Sequence, residues 1–123
     1  MSDLPELVVA TGNRGKHREI RALFSDLPVA WCALDAFPEI PMPEEGDDYA
    51  ANAIAKARTV ALATGCLAVG DDSGLEVAGL GGRPGPRSAR YGAPGLDDAG
   101  RVAHLLDEMR GLEGEDRNAQ FVC

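Results

Sequence analysis

Residues 69–75 (VGDDSGL) place two carboxylates, a hydroxyl and a glycine directly after a short apolar run. The run, residues 66–69 (CLAV), has the length and flanks of a buried strand. A carboxylate there costs stability unless another group compensates its charge. In open α/β sheets ligands bind at this end of the strands, and Mg²⁺ suits the position because it needs only one or two carboxylates. The alternative interpretation is a plain acidic turn, which the same residues favour.

The size and charge of the chain restrict its possible functions. Its 123 residues suffice for one domain or part of one, and its net charge of −8 argues against binding nucleic-acid polymers, although a mononucleotide stays possible. The sequence shows no membrane-spanning run and no signal-peptide pattern, and its three widely spaced cysteines indicate reduced thiols. We therefore expect a cytoplasmic protein. Since residues 119–123 look like the opening of a strand, we also expect residues 1–123 to be the N-terminal portion of a longer, single domain.

A glycine-containing loop follows the first apolar run. Residues 7–10 (LVVA) predict a buried strand, residues 11–16 (TGNRGK) a loop, and an apolar stripe at Ile20, Leu23, Phe24 and Leu27 a helix. This order presents backbone N–H groups to an anion. The loop matches neither a Walker A motif nor the dinucleotide fingerprint. An ordinary connection between strand and helix is the alternative, but the crowding of basic and polar side chains favours phosphate binding.

The remaining patterns continue an α/β order. Residues 29–34 predict a second strand, and the proline-rich, acidic residues 35–46 predict an extended loop. Asp47 or Asp48 caps a long helix that Gly65 ends. After the 66–69 strand we expect a short extended segment at 75–80, a glycine-proline loop at 81–92, a helix capped by Asp97 or Asp98, and a final strand. That last helix carries an apolar stripe formed by Val102, Leu105, Leu106 and Met109.

Four motifs, in this order and spacing, resemble the inosine triphosphate pyrophosphatase family, whose members hydrolyse non-canonical purine nucleoside triphosphates. They are residues 10–16 (ATGNRGK), Asn52-Ala53 with Lys56-Ala57, residues 71–75 (DDSGL), and residues 80–85 (LGGRPG) running into 88–91 (SARY). The combination of the last two motifs is highly specific. The resemblance covers almost the whole chain.

The resemblance implies roles for particular residues. Glu44 and Asp72 correspond to metal ligands, and the metal implied is Mg²⁺. Asp72 also corresponds to the catalytic aspartate, with Asp71 beside it, and either of them would orient or deprotonate the attacking water. The substrate-binding residues implied are Thr11, Gly12, Asn13, Arg14, Gly15, Lys16, Lys56 and Ser73.

The resemblance further implies a fold and a reaction. The fold is an elongated α/β structure with a central mixed sheet and flanking helices, a cleft between two lobes, and a homodimeric assembly. The reaction splits ITP, dITP or XTP into the monophosphate and pyrophosphate. Two features depart from the family. Ala51 stands where many members carry a glutamate, and the C-terminal half that recognises the base is absent from these 123 residues.

Three functional hypotheses are open at this point. The first is an Mg²⁺-dependent pyrophosphatase acting on non-canonical purine nucleotides. The second is a truncated, non-catalytic module for nucleotide binding or dimerisation. The third is a related pyrophosphatase for modified pyrimidine nucleotides, which the motifs at 80–85 and 88–91 disfavour.

Overall fold

A computed structural model describes residues 3–123 and confirms the predicted α/β class. Parallel and antiparallel strand pairing both occur, in two three-stranded sheets. The chain forms two compact units. The first comprises the described residues up to Glu45 together with Ala50–Asp71, and the second comprises Gly46–Tyr49 together with Asp72–Cys123. Within the described residues no helix is both long and apolar enough to cross a membrane.

The first unit alternates strands and helices. Its elements are β1 (Glu6–Val9), α1 (Arg14–Leu23), β2 (Ala30–Ala33), α2 (Tyr49–Thr64), whose first residue belongs to the second unit, and β3 (Leu67–Val69). The three strands are parallel in the order β2-β1-β3, with Val8 opposite both Cys32 and Ala68. Because parallel crossovers are right-handed, the reversal of direction after β2 places α1 and α2 on opposite faces of the sheet. Central β1 is therefore covered on both faces, and its run of apolar residues follows from this.

The core of the first unit lies between the sheet and α2. Val8, Ala10 and Val60 are buried together, and partly buried cysteines and aliphatic residues pack around them. Gly70, directly after β3, allows α2 to approach the backbone closely. A Cβ at Gly70 would lie 2.3 Å from the carbonyl oxygen of Ala53. The end of β3 is therefore held tightly against α2.

The second unit is built on antiparallel pairing. Its elements are β4 (Gly74–Val77), β5 (Pro84–Gly85), α3 (Asp98–Glu108) and β6 (Ala119–Val122), with short 3₁₀ turns between them. The strand order is β5-β4-β6, and Gly74 allows the backbones of β4 and β5 to meet, since a Cβ there would lie 1.9 Å from the carbonyl oxygen of Gly85. Val77, Leu80 and Met109 form the core of this unit.

The predicted elements agree with the observed ones to within a few residues, and the two predicted apolar helix stripes are only partly buried. In α1 only Ile20 is buried, whereas Leu23 is 76% exposed. In the stripe predicted for the last helix, Met109 is buried but Val102 and Leu106 are more than half exposed. Periodicity shows that one side of a helix is apolar, but burial depends on what packs against that side.

Candidate functional site

The carboxyl ends of β1 and β3 bring together two residues predicted for the site. β2 lies on one side of β1 and β3 on the other, so the strand order reverses at β1. Such a point is where open α/β sheets bind ligands. Here Nζ of Lys16 lies 3.1 Å from Oδ2 of Asp71, and both side chains are largely buried. A predicted phosphate-binding cation and a predicted catalytic carboxylate thus form an ion pair.

The loop before α1 is held by its own polar side chains. Asn13 is the N-cap of α1, and its Oδ1 accepts hydrogen bonds from the backbone N–H groups of Gly15, at 2.9 Å, and Lys16, at 3.1 Å. The Thr11 hydroxyl accepts from the N–H of Asn13. These bonds satisfy donors that a helix start leaves without partners. They also fix the course of the loop backbone.

The other residues predicted for this loop are more exposed. The Arg14 guanidinium lies 3.6 Å from Asp35, and both side chains are mostly in solvent. Gly12 is exposed and has open space where a Cβ would stand. The loop therefore presents a largely buried ammonium at Lys16 and an accessible guanidinium at Arg14.

The second lysine is also paired with a carboxylate. Nζ of Lys56, on α2, lies 3.1 Å from Oε1 of Glu45, and both side chains are more than two-thirds buried. Glu44, the predicted metal ligand, is exposed. The sequence interpretation singled out Glu44 for the metal and did not predict the pairing of Glu45 with Lys56, because two adjacent acids in a proline-rich loop cannot be told apart by their pattern.

Asp72 and Ser73 belong to the second unit. Asp72 is buried, with 8% of its surface exposed, and is one of two buried polar residues in the described chain. Ser73 lines a cavity of about 350 Å³ whose walls include Pro84, Ser88 and residues of α3 and β6. Burying a carboxylate requires compensating partners. The role of Asp72 stays a prediction.

Tyr49, the first residue of α2, lies near Asp72. Its hydroxyl donates a 3.1 Å hydrogen bond to Oε2 of Glu76. The pKa of Tyr49 is raised above its ordinary value of 10.0, chiefly by burial, then by the hydrogen bond to Glu76 and the negative charge of Asp72. The phenol therefore stays protonated and can only donate this bond. No motif indicated this pair, because its members are 27 residues apart.

Two further residues of the first unit, Asn52 and Gly70, had no predicted role in the site. Asn52 on α2 is buried with 5% of its surface exposed, although most of its neighbours on the helix are apolar. Gly70 carries no functional group, but it permits the close approach that positions the following Asp71. The signal for Asn52 was present in the sequence, as an amide in an otherwise alanine-rich helix.

The carboxylates have the chemistry that Mg²⁺ requires. Mg²⁺ prefers oxygen ligands and keeps several waters, so one or two protein carboxylates suffice. Asp72 offers a buried carboxylate, while Glu44 belongs to the other compact unit. In residues 3–123 no group of three or more His, Cys, Asp or Glu side chains is arranged to hold a metal ion. Glu44 and Asp72 together remain a prediction.

Comparison with known proteins identifies the family to which these residues point. A family model described as the Ham1 family matches residues 7–123. Among curated relatives, the dITP/XTP pyrophosphatase of Geobacter sulfurreducens is 43% identical over 98% of this chain and 61% of its own length. A dITP/XTP pyrophosphatase of Thermus thermophilus is 49% identical over 96% of this chain and 56% of its own length. The family inferred from the sequence motifs is thereby confirmed.

Solved structures agree with these sequence matches. A HAM1 protein from Coxiella burnetii superimposes with a TM-score of 0.81 at 37% identity, covering 96% of this chain and 60% of that one. A nucleoside-triphosphatase, also named dITP/XTP pyrophosphatase, from Mycobacterium abscessus gives a TM-score of 0.77 at 36% identity, covering 94% and 61%. The chain spans about three fifths of the length of the curated relatives it matches.

Proposed function

Since the chain belongs to the Ham1 family, we propose that it is a nucleoside triphosphate pyrophosphatase, or part of one. Its substrates are non-canonical purine nucleotides, namely ITP, dITP and XTP, and its products are the monophosphate and pyrophosphate. The names of the relatives support dITP and XTP, because they are dITP/XTP pyrophosphatases, and ITP is added from the resemblance of the motifs. The observation that carries the proposal is the Lys16–Asp71 pair at the carboxyl ends of two parallel strands, next to a loop ordered by Asn13.

The proposed role of the first unit is to bind the triphosphate. Among the loop residues Thr11 to Lys16, Lys16 contributes a cation, and Lys56 contributes a second cation. The backbone N–H groups of Gly15 and Lys16 are already engaged by the Asn13 side chain. Both ammonium groups are held by carboxylates, Lys16 by Asp71 and Lys56 by Glu45. Because their positions are set in advance, binding loses less side-chain entropy than it would with mobile lysines. Hydrolysis by attack on a phosphorus atom depends on such positioning.

The proposed role of the aspartates is to act on water. Asp71 already holds Lys16, so we assign Asp71 to orienting that cation. We assign Asp72 to orienting or deprotonating the attacking water, with Ser73 contacting the substrate nearby. Burial of Asp72 supports this assignment, because a carboxylate shielded from bulk water acts more strongly on a neighbouring water molecule.

The proposed cofactor is Mg²⁺, with Glu44 and Asp72 as its protein ligands. When bound, it offsets the negative charge of the phosphate oxygens and the charge that develops as the bond breaks. The all-oxygen character of these ligands supports Mg²⁺ over zinc, which favours nitrogen and sulfur. Glu45 is engaged with Lys56, so it is less suited than Glu44 to a metal.

The cysteines have no place in this mechanism. The pKa of Cys66 is raised by its hydrogen bond to Glu6 and by burial, and burial also raises the pKa of Cys32. Both side chains are therefore thiols rather than thiolates at neutral pH, and the thiolate is the nucleophilic form. The three cysteines are free, which supports our proposal of a reducing, cytoplasmic location.

A homodimer completes the proposal. Several large apolar side chains are exposed in the described chain, including Leu23, Leu62 and Phe121, each more than 70% exposed. Analytical ultracentrifugation at several protein concentrations tests the assembly, and a mass that stays at 12.9 kDa throughout contradicts it.

The test of the function is pyrophosphate release from ITP, dITP, XTP, dATP, dGTP and TTP, with Mg²⁺ and with excess chelator. The assay compares this chain with the longest reading frame that contains it. We expect release from ITP, dITP and XTP in preference to the standard nucleotides, and none without the metal. Equal rates on dGTP and dITP contradict the proposed selectivity. Triphosphate binding without release by either form favours the non-catalytic module instead.

A further inference from the structure

The motif at residues 88–91 (SARY) has no part in the proposed mechanism, although it is one of the four motifs that the sequence singles out. In the structure it begins with a 3₁₀ turn, Ser88–Arg90, and Ser88 is half-buried. Ser88 lines the same cavity as Ser73, and both residues belong to the second unit together with Asp72. The motif therefore borders the segment that carries Asp72 and Ser73.

The Ser88 hydroxyl makes two hydrogen bonds. Its Oγ accepts a 2.9 Å hydrogen bond from the backbone N–H of Leu75 on β4, and it donates a 2.6 Å hydrogen bond to the backbone carbonyl oxygen of Gly85 on β5. Leu75 and Gly85 are partners in the antiparallel register of these two strands. One side chain thus connects β4 to β5 at the strand pair that is nearest to Asp72 in the sequence.

The bond to Leu75 is the more informative of the two. A serine hydroxyl commonly bonds a carbonyl oxygen a few residues before it, so the bond to Gly85 is ordinary turn chemistry. The bond to Leu75 instead joins residues 13 positions apart and satisfies the N–H group of a strand. A backbone N–H that loses its partner inside a protein costs free energy. Ser88 therefore favours one position of the Leu75 backbone.

The start of β4 is also packed closely around this bond. Gly74 and Gly85 are both buried, and a Cβ at Gly74 would lie 1.9 Å from the Gly85 carbonyl oxygen. Ser88 donates to that same oxygen. Because Asp72 and Ser73 come directly before Gly74, the backbone position at this strand pair also sets where their side chains begin.

The other end of the motif is attached to α3. The Tyr91 hydroxyl donates a hydrogen bond to one carboxylate oxygen of Glu108, and the other oxygen lies 3.0 Å from Nε2 of His104. The rings of Tyr91 and His104 meet edge to face, with their centroids 5.3 Å apart. The motif is therefore held at both ends, by α3 on one side and by the β4–β5 pair on the other.

We propose that Ser88 is a positioning residue for the reaction, because it holds Asp72 in place through the backbone of Leu75. The inference rests on the proposed function, since the role of Asp72 is part of it. Ser88 does not donate a hydrogen bond to the substrate, because its single hydroxyl proton is engaged by Gly85. Catalysis is sensitive to displacements of about 1 Å, so loss of this hydroxyl should act on the chemical step.

The first test measures the position of the segment without activity. In this chain, Ser88→Ala should raise the hydrogen-exchange rate of the Leu75 amide at least about threefold. It should also shift the backbone ¹⁵N and ¹H signals of Asp72 and Ser73. Ser88→Thr keeps the hydroxyl, so it should preserve the protection of Leu75 and give smaller shifts. Unshifted Asp72 and Ser73 signals in Ser88→Ala, or equally fast exchange in the two variants, overturn the proposal.

The second test measures turnover of ITP at saturating Mg²⁺ in the longest reading frame that contains this chain. Ser88→Ala should lower kcat at least about tenfold and change KM less than about threefold, because the triphosphate contacts assigned to the two lysines lie in the first unit. Ser88→Thr should recover most of the lost kcat. Urea unfolding checks that each variant is folded.

A matched control removes two comparable hydrogen bonds elsewhere in the second unit. The Arg117 guanidinium donates to the backbone carbonyl oxygens of Met109, at 2.9 Å, and Leu112, at 3.2 Å. Arg117→Gln should leave kcat within about twofold and the Asp72 signals unshifted.

Three results separate the possibilities. Equal losses of kcat in Ser88→Ala and Arg117→Gln would reflect lost stability alone and overturn the proposal. A Ser88→Ala variant with unchanged kcat would overturn it as well. If the unsubstituted protein releases no pyrophosphate, the proposed function fails, and the exchange rates and signal shifts still decide whether Ser88 holds Asp72.

Discussion

Lys16 and Lys56 are the only lysines of the chain, and each ammonium lies 3.1 Å from a carboxylate. Ten arginines serve elsewhere as the chain's cations. A compact ammonium presents a concentrated charge that a planar guanidinium does not reproduce. Both lysines are therefore fixed by ion pairs inside the first unit, and their contacts with phosphate stay a prediction.

We predict that Lys16→Ala raises KM for ITP or lowers kcat/KM at least about tenfold. The reason is the loss of a charged contact to the triphosphate together with release of the Asp71 carboxylate that held it. Steady-state kinetics of pyrophosphate release measures the change. Arg21→Ala, on the exposed part of the same helix, is the control and should stay within about twofold. An unchanged kcat/KM for Lys16→Ala would remove this lysine from the site.

We predict that Asp72→Asn abolishes turnover and leaves the fold intact, because the amide keeps the shape of the side chain but cannot bind Mg²⁺ or accept a proton in the same way. Pyrophosphate release and circular dichroism are the measurements. Asp26→Asn, at an exposed position, is the matched control for losing one charge. Asp71→Asn should retain partial activity if Asp71 only orients Lys16. Full activity in Asp72→Asn would overturn the role assigned to Asp72.

We predict that Tyr49→Phe destabilises the protein by about 1 kcal/mol at neutral pH, because it removes the hydrogen bond to Glu76. The raised pKa of Tyr49 sets the sign of the pH effect. The contribution of the protonated Tyr49 phenol to stability is fully present below the ordinary tyrosine pKa of 10.0, and it is lost as pH rises through the folded-state pKa. Between about pH 8 and pH 11, urea unfolding should therefore show that the free energy of unfolding falls less with rising pH in Tyr49→Phe than in the unsubstituted chain. Identical curves would show that this phenol is not linked to stability.

Among the secondary-structure elements, β1, its loop and α1 form the part most completely specified by local residues. An apolar run makes the strand, Asn13 caps the helix, and the side chain of Thr11 holds the turn between them. In α2, by contrast, close packing determines the fit to the sheet. Its alanines and Gly70 let the helix backbone lie almost in contact with the end of β3.

We predict that Gly70→Ala costs about 1–3 kcal/mol of stability, since the added methyl would lie 2.3 Å from the Ala53 carbonyl oxygen and backbone must move to admit it. Gly12→Ala is the matched control in the same unit, because nothing lies within 4 Å of the position that its Cβ would occupy. It should change stability by less than about 0.5 kcal/mol. Urea unfolding compares the two, and equal effects would mean that α2 is not packed as closely as described.

For the molecule as a whole, two separate cores are the main feature. Val8, Ala10 and Val60 form one, and Val77, Leu80 and Met109 form the other. Each core is small, as expected where a chain of 123 residues forms two compact units. Stability is therefore expected to differ between them, with local unfolding of one unit before the other.

We predict that core substitutions act mainly within their own unit. Val60→Ala should cost about 2 kcal/mol and lower hydrogen-exchange protection in β1 and β3. Met109→Ala should cost about 2–5 kcal/mol and lower protection in β4 and β6. Site-resolved hydrogen exchange measures both. Equal loss of protection in all four strands for either variant would show a single cooperative unit.

Sequence patterns were sufficient for the order of helices and strands, for the glycine-containing loop before α1 and for the family. These features depend on neighbouring residues. A strand needs a short apolar run, a helix start needs a cap such as Asn13 or Asp97, and the family is recognised from contiguous motifs. Burial could be predicted less well from the sequence, as the exposed Leu23 shows. An apolar pattern does not indicate which surface, if any, packs against it.

Asp71 and Asp72 show what neighbouring residues in the sequence could not predict, namely the partner of each charged group. In the sequence they are adjacent carboxylates, either of which could orient or deprotonate the attacking water. In the fold, Asp71 pairs with Lys16, which lies in the loop-to-helix segment after β1, whereas Asp72 is buried and belongs with the second unit. The same holds for Glu45, which pairs with Lys56, and for Tyr49 with Glu76. The amino-acid order established which chemical groups are available. Their pairing required the folded chain, because the partner of each charge is set by strand order and helix packing between distant segments.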